Sequence, residues 1–308
     1  SRIAEELLDT MGRAFGQLRG GLGISVILVG ALLAASTGIV GATVVAMGMI
    51  ALPTMLRAGY DPRVSSGIVC TAGTLGQIIP PSTLLIILAD VMSNAYQQAQ
   101  YEQGKFSVEA LSVGQFFAAA LVPGLVLVLL YLVYVLFRGA LRPHDMPPTD
   151  SSQSRPARVE ILAAIVPPIL LIFAVLGSIL GGIATPTEAA AVGAVGALLM
   201  SGARLDRHRC VIMIAAGAFI LLAMLAGMFP VRLQRDDLSV GSYALGGVYI
   251  ALAFVGVLGI LAALRNVLSQ HMIQGAATST MTMTAMIFAT ILAAGMFSLV
   301  FIGLGGEE

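Results

Sequence analysis

The chain is 308 residues long, 58% hydrophobic and only 10% charged, with 16 basic and 16 acidic side chains and a formal net charge of +0. Soluble domains carry about a quarter of their residues charged, so this composition excludes an ordinary water-soluble domain, and the balanced charge argues against a general nucleic-acid partner. Apolar runs of about 20 residues that rarely alternate favour helices crossing a bilayer over an outer-membrane barrel. Cys70 and Cys210 lie in or at the edge of apolar segments without metal-ligand spacing and are expected to be small buried hydrophobes, while His144, His208 and His271 fall in or beside polar connections. The sequence contains no H-E-x-x-H, no G-x-S-x-G and no P-loop, so it reads as no enzyme and calls for no cofactor beyond a coupling ion.

Ser1 is not an initiator methionine, and Glu5, Glu6 and Asp9 stand where a signal peptide would be basic and then apolar, so the chain reads as a piece of something longer. Ile3, Leu7, Met11, Phe15 and Leu18 recur at helical spacing among charged residues, which predicts an interfacial amphipathic helix over 1–20. A cytoplasmic extension of a preceding helix fits the same pattern. Leu22 to Leu56 is long enough for two short helices, and its centre, Ala34 to Thr43, is rich in hydroxyls and glycine. A re-entrant hairpin over 22–56 with its tip near Ser36 to Gly41 is expected. The plainer alternative is ordinary helices that use small residues for packing.

The segment 66–91 contains Gly73-Thr74-Leu75-Gly76-Gln77-Ile78-Ile79-Pro80-Pro81-Ser82. Proline has no backbone donor and clashes with the preceding turn, so Pro80-Pro81 predicts a helix broken near mid-membrane. Such a break survives only buried in protein or beside a polar cavity, which is how secondary transporters build ion sites. A polar stretch from Ser93 to Ser112 is expected outside the membrane, then a helix over 113–137 and a loop-like linker over 138–159. Further helices are expected at Ile161 to Leu180, Ile183 to Met200, Cys210 to Phe229, Tyr243 to Leu264 and Thr280 to Ile302. With the first hairpin and the pair 161–200 each returning to its own side, the arginines at 57, 63, 138, 142, 155, 158, 204, 207, 209 and 265 fall on one face, which the positive-inside rule makes cytoplasmic.

Two acids lie well inside apolar segments. Asp90 reads as reaching the interface near the outer end of its helix, and Glu188 follows Thr185-Pro186-Thr187 as the third residue of a helix capped by Thr185. A structural cap formed by Thr185 and Glu188 is expected over substrate contact. A sodium ion wants several oxygens, so the candidate ion and substrate residues are Ser36, Thr37, Gly38 and Thr43 from the tip, with Gly73, Thr74, Gly76, Pro80, Pro81 and Ser82 from the break. Thr37, Gly73, Thr74 and Ser82 are the expected sodium contacts, and Thr83 supplies a further hydroxyl. An anionic substrate favours the positive end of a half-helix.

The runs Ala34 to Thr43, Leu52-Pro53-Thr54-Met55-Leu56-Arg57-Ala58-Gly59-Tyr60, Gly73 to Ser82 and Ala184-Thr185-Pro186-Thr187-Glu188-Ala189-Ala190-Ala191 resemble the large membrane subunit of tripartite ATP-independent periplasmic (TRAP) transporters. The similarity runs from about Gly12 to Ala191 with a weaker echo from Thr280 to Glu308, and the interval Gly202 to Ile273 reads as an insertion. The resemblance implies an all-α membrane protein with an inverted-repeat, elevator-type fold. On that reading 21–137 is the first-repeat core, and 160–308 holds further helices and the beginning of a second half. It also implies a multi-pass permease in a bacterial inner membrane that couples sodium to import of small organic acids. Its implied partners are a small membrane subunit and a periplasmic substrate-binding protein. The family's second hairpin and Pro-Pro break are not found here. Pro167-Pro168 opens a helix without a glycine-rich flank, and Pro147-Pro148 falls in a loop, so the second half-site is expected beyond Glu308. A related sodium and organic-anion exchanger without a binding protein, and a non-transporting membrane scaffold, are the competing expectations.

Overall fold

The computed structural model describes residues 3–38, 40–105, 107, 109–148, 156–204, 209–228, 240–269 and 272–306. Among these there is no strand, and eleven helices run in order: α1 (Ile3–Phe15), α2 (Gly21–Thr37), α3 (Val40–Arg57), α4 (Pro62–Thr74), α5 (Thr83–Glu102), α6 (Val113–Leu141), α7 (Arg158–Leu180), α8 (Pro186–Arg204), α9 (Arg209–Met228), α10 (Val240–Ser269) and α11 (Met272–Gly303). Four are long and apolar enough to cross a membrane: Val113–Leu141, Val159–Leu180, Leu245–Ser269 and Met272–Gly303. The chain divides into two compact units, Ser1–Ala194 and Val195–Glu308.

In the first unit, α2 and α3 form an antiparallel hairpin. Both ends of the hairpin lie at one polar end of the unit, where three connections are tied together. The Gly20 N–H donates to the Met146 carbonyl at 3.3 Å, and the Asp61 N–H donates to the Asp145 carbonyl at 3.0 Å. Arg138 pairs with Asp145 at 2.8 Å, and Met146 is fully buried. Asp61 also starts α4, its carboxylate accepting from the N–H groups of Arg63 at 2.8 Å and Val64 at 3.1 Å, with Pro62 at the first helical position. These contacts put 142–148 against the bundle, so chain leaving α6 folds back before the linker continues.

Close packing of the hairpin on α4 depends on missing side chains. A methyl group at Gly30 would lie 2.7 Å from Ala72 Cβ, and one at Gly73 would collide with Val44 Cγ2. Between them Val26, Val29, Met47, Ala51, Met55, Ala72 and Leu75 are buried in one apolar core. Helix α1 presses Leu7, Leu8 and Met11 into this same core, which is what its amphipathic spacing demands.

Several boundaries differ from expectation, each for a local reason. Helix α5 continues to Glu102, because Met92 to Glu102 is mostly Ala, Gln, Met and Glu, which are good helix formers although polar. Asp90 therefore sits in the first half of a 20-residue helix, exposed, and not near its outer end. Pro167-Pro168 lies inside α7 and does not open it. Membrane helices accommodate such prolines where neighbouring groups satisfy the freed carbonyls.

In the second unit α9 and α10 pack antiparallel. A methyl group at Gly256 would lie 2.9 Å from Phe219, and one at Gly259 would collide with Ala215 Cβ. Gly202, at the end of α8, sits against Ala263, and the buried Asn266 amide donates to the Gly202 carbonyl at 3.4 Å. No described side chain of α11 is buried.

Candidate functional site

Two consecutive prolines end the first half-helix. Pro80 and Pro81 lack the N–H groups that an α-helix would aim at the carbonyls of Gly76 and Gln77. After α4 the chain tightens into a short 3-10 turn over Leu75–Gln77, and the Leu75 carbonyl accepts from the N–H groups of Ile78 at 3.1 Å and Ile79 at 2.9 Å. The Pro80–Pro81 peptide is cis. Ser82 then starts the second half-helix. Its hydroxyl donates to the freed Gln77 carbonyl at 2.8 Å and accepts from the Leu85 N–H at 3.4 Å, while the residue is 1% exposed. One hydroxyl thus caps α5 and spans the break.

The break faces the hairpin tip. Gly38 turns the chain between α2 and α3 with φ +63°, and a methyl group there would lie 3.0 Å from the Pro81 carbonyl oxygen. Both facts favour glycine, one through backbone conformation and one through space. The Thr83 hydroxyl donates to the Gly38 carbonyl at 3.0 Å, joining residues 45 positions apart in the chain. A donated proton leaves the threonine oxygen's lone pairs free to face a cation.

The depth of this junction is fixed by α6. A methyl group at Gly124 would lie 3.4 Å from Ile79 Cγ1 and 3.6 Å from the Ile78 carbonyl. Gly124 is about 17 Å from Val113 and about 26 Å from Leu141 at 1.5 Å per residue. The tip therefore reaches partway along a helix long enough to span a bilayer.

Among the expected site residues, the structure brings Gly38, Pro81 and Ser82 together with Thr83. Gly73 packs on Val44, next to Thr43, which is 1% exposed in the first turn of α3. Gly76 and Pro80 are buried in the break. Thr74 is exposed, and its hydroxyl donates to the Thr71 carbonyl at 2.7 Å, so it does not face the junction through that bond. Ser36 and Thr37 end α2, but their side chains lie outside the described residues. Sequence reasoning missed Val44 and Gly124 as walls of this junction. Pro123-Gly124 within a long apolar helix is the signal that marks the second.

Thr185 and Glu188 form the expected capping box at the start of α8. The Thr185 N–H and hydroxyl donate to Glu188 Oε2 at 2.8 and 2.9 Å, and the Glu188 N–H points back to the Thr185 hydroxyl at 3.4 Å. Among the described residues no three of His, Cys, Asp and Glu gather as metal ligands, so the oxygens on offer at the break are hydroxyls and carbonyls.

Comparison with known proteins gives this geometry a context. A family model described as "Tripartite ATP-independent periplasmic transporter, DctM component" matches residues 1–297. The chain belongs to the DctM family. A C4-dicarboxylate TRAP transporter large permease protein DctM of Pseudomonas aeruginosa is 37% identical over 195 residues, which is 63% of this chain and 40% of that one. An ectoine TRAP transporter large permease protein TeaC of Halomonas elongata is 28% identical over 197 residues, 64% of this chain and 42% of that one. An isethionate TRAP transporter permease protein DctMQ of Oleidesulfovibrio alaskensis is 31% identical over 200 residues, 64% and 28%. This DctM-family chain thus spans about two fifths of the length of the first two relatives. The span of the family match includes Gly202 to Ile273.

Proposed function

We propose that this DctM-family chain is part of a multi-pass permease subunit in a bacterial inner membrane, importing small organic acids by sodium-coupled secondary transport. A periplasmic binding protein delivers the substrate, and a small membrane subunit completes the assembly. The observation that carries the reading is the junction of the Gly38 tip with the broken helix at Pro81 to Thr83, bridged by the Thr83 hydroxyl. Carbonyls freed by paired prolines, with the Ser82 and Thr83 hydroxyls beside the Gly38 carbonyl of the tip, suit a hard monovalent cation that needs no formal counter-charge. The N-terminal end of α5 opens at the same place, and its partial positive charge favours an anionic substrate. Names of the relatives, which specify C4-dicarboxylates, ectoine and isethionate, support small polar organic substrates as the class.

The test is uptake into liposomes by the full-length transporter with its partner subunits, with and without an inward sodium gradient. Uptake should collapse when sodium is replaced by potassium. Uptake that ignores sodium would sink the coupling, and uptake without any soluble binding protein would favour an exchanger.

A further inference from the structure

At the polar end of the first unit, the structure fixes an excess of positive charge that the junction does not use. Arg19, Arg57, Arg63 and Arg142 are exposed there, and none is in an ion pair. The acids around them are already engaged: Asp61 caps α4, Asp145 holds Arg138, and Asp9 pairs with Arg13 at 3.1 Å. Glu6 lies about 14 Å from Phe15 along α1, at 1.5 Å per residue. The arginines are not on independent loops. The Gly20 to Met146 and Asp61 to Asp145 backbone bonds, together with buried Met146, hold the three segments that carry them in one cluster.

Three of these arginines follow an exposed leucine directly: Leu18-Arg19, Leu56-Arg57 and Leu141-Arg142, with the leucines 52%, 42% and 65% exposed. A cation beside an apolar side chain suits the boundary between acyl chains and headgroups, where the leucine enters the hydrocarbon and the guanidinium stays at the phosphate. A soluble anion has no use for the leucines. Guanidinium groups are matched to phosphate oxygens by their planar fork of donors. Sidedness alone explains the sign of this charge but not its fixed clustering or its pairing with leucine.

We propose that this end of the first unit is a docking surface for the anionic headgroups of membrane phospholipids, recruiting them from the bilayer around the protein. It stands whether or not sodium is the coupling ion.

The experiment places the full-length transporter with its partner subunits in nanodiscs of equal phosphatidylglycerol and phosphatidylcholine, extracts it gently, and counts the retained lipids by native mass spectrometry. Phosphatidylglycerol should be enriched about fivefold, the scale set by one arginine near an anionic surface. Changing Arg19, Arg57, Arg63 and Arg142 together to Gln should bring retention to parity, changing all four to Lys should keep most of it, and Lys105→Gln should leave it intact. The four single Gln variants, each with a partial loss, carry the same test if the combined variant fails to fold. Parity in the unaltered protein, or full enrichment in the Gln variants, overturns the proposal. Displacement of phosphatidylglycerol by millimolar inorganic phosphate also overturns it, in favour of a free-anion site.

Discussion

Two glycine turns in the first unit, each joining a pair of helices, are closed in opposite ways. The α7–α8 turn at Gly181-Gly182 is closed by its own residues: the Ser178 carbonyl accepts from Ile183 and Ala184, and Thr185 and Glu188 cap the next helix. The α2–α3 turn at Gly38 uses distant chain, taking a hydroxyl from Thr83 and packing on the Pro81 carbonyl. A self-capped turn is complete as structure. A turn whose carbonyl is satisfied by another broken segment makes a composite surface, and only such a surface can change its ligands when a second component arrives.

Substitutions can break this contrast, beginning with the largest effect. Gly73→Leu puts a side chain into Val44 and should destabilise the first unit by at least about 1–3 kcal/mol, the usual cost of overpacking. Thermal unfolding in detergent should show this as a lowered midpoint, together with loss of uptake. Gly38→Ala meets both a left-handed backbone and the Pro81 oxygen. It should cost about 1–2 kcal/mol from conformation alone, and uptake should fall far more than the midpoint does. A proportionate fall in both would make the tip merely structural.

Thr83→Val keeps the shape and removes the hydroxyl, leaving the buried Gly38 carbonyl without that donor, at about 1–3 kcal/mol. Its signature is a raised sodium requirement for half-maximal uptake, and an unchanged requirement would remove Thr83 from the ion site. Glu188→Ala opens the capping box of the other turn. It should lower the unfolding midpoint slightly and leave sodium dependence alone; a shift in sodium dependence would erase the distinction between the two turns. Ser66→Ala, whose hydroxyl bonds only its own helix at the Pro62 and Arg63 carbonyls, should change neither measurement by more than the scatter of surface substitutions, about 0.5 kcal/mol.

Features with a local chemical cause were legible in the sequence. Paired prolines have no amide donors wherever they lie, so the break at Pro80-Pro81 could be read directly, as could the Thr185–Glu188 box at its fixed spacing. The hairpin was legible because hydroxyls and glycines interrupt an apolar run of the length of two short helices. What could not be read is what touches what. The Thr83–Gly38 bond joins residues 45 apart, and Gly124 seats the break from a helix whose composition marks only a span. Met146 looked like loop because a lone apolar residue among prolines has no periodicity, yet it is fully buried. The α5 extension was misread because Gln and Ala continue a helix without continuing its hydropathy.

The glycine contacts that bind the hairpin to α4 have a mechanical consequence. With Gly30 on Ala72, Gly73 on Val44 and Gly38 on Pro81, the hairpin touches the broken helix near its middle, close to its tip and at the tip itself, and in each contact one partner is a glycine with no side chain to yield. Swinging the hairpin outward as a flap would separate all three contacts at once and open a gap along two helices, whereas carrying both pieces as one block would disturb none. Any motion that exposes the junction to a new side of the bilayer is therefore cheapest as displacement of the whole wedge, with the slip surface lying outside it.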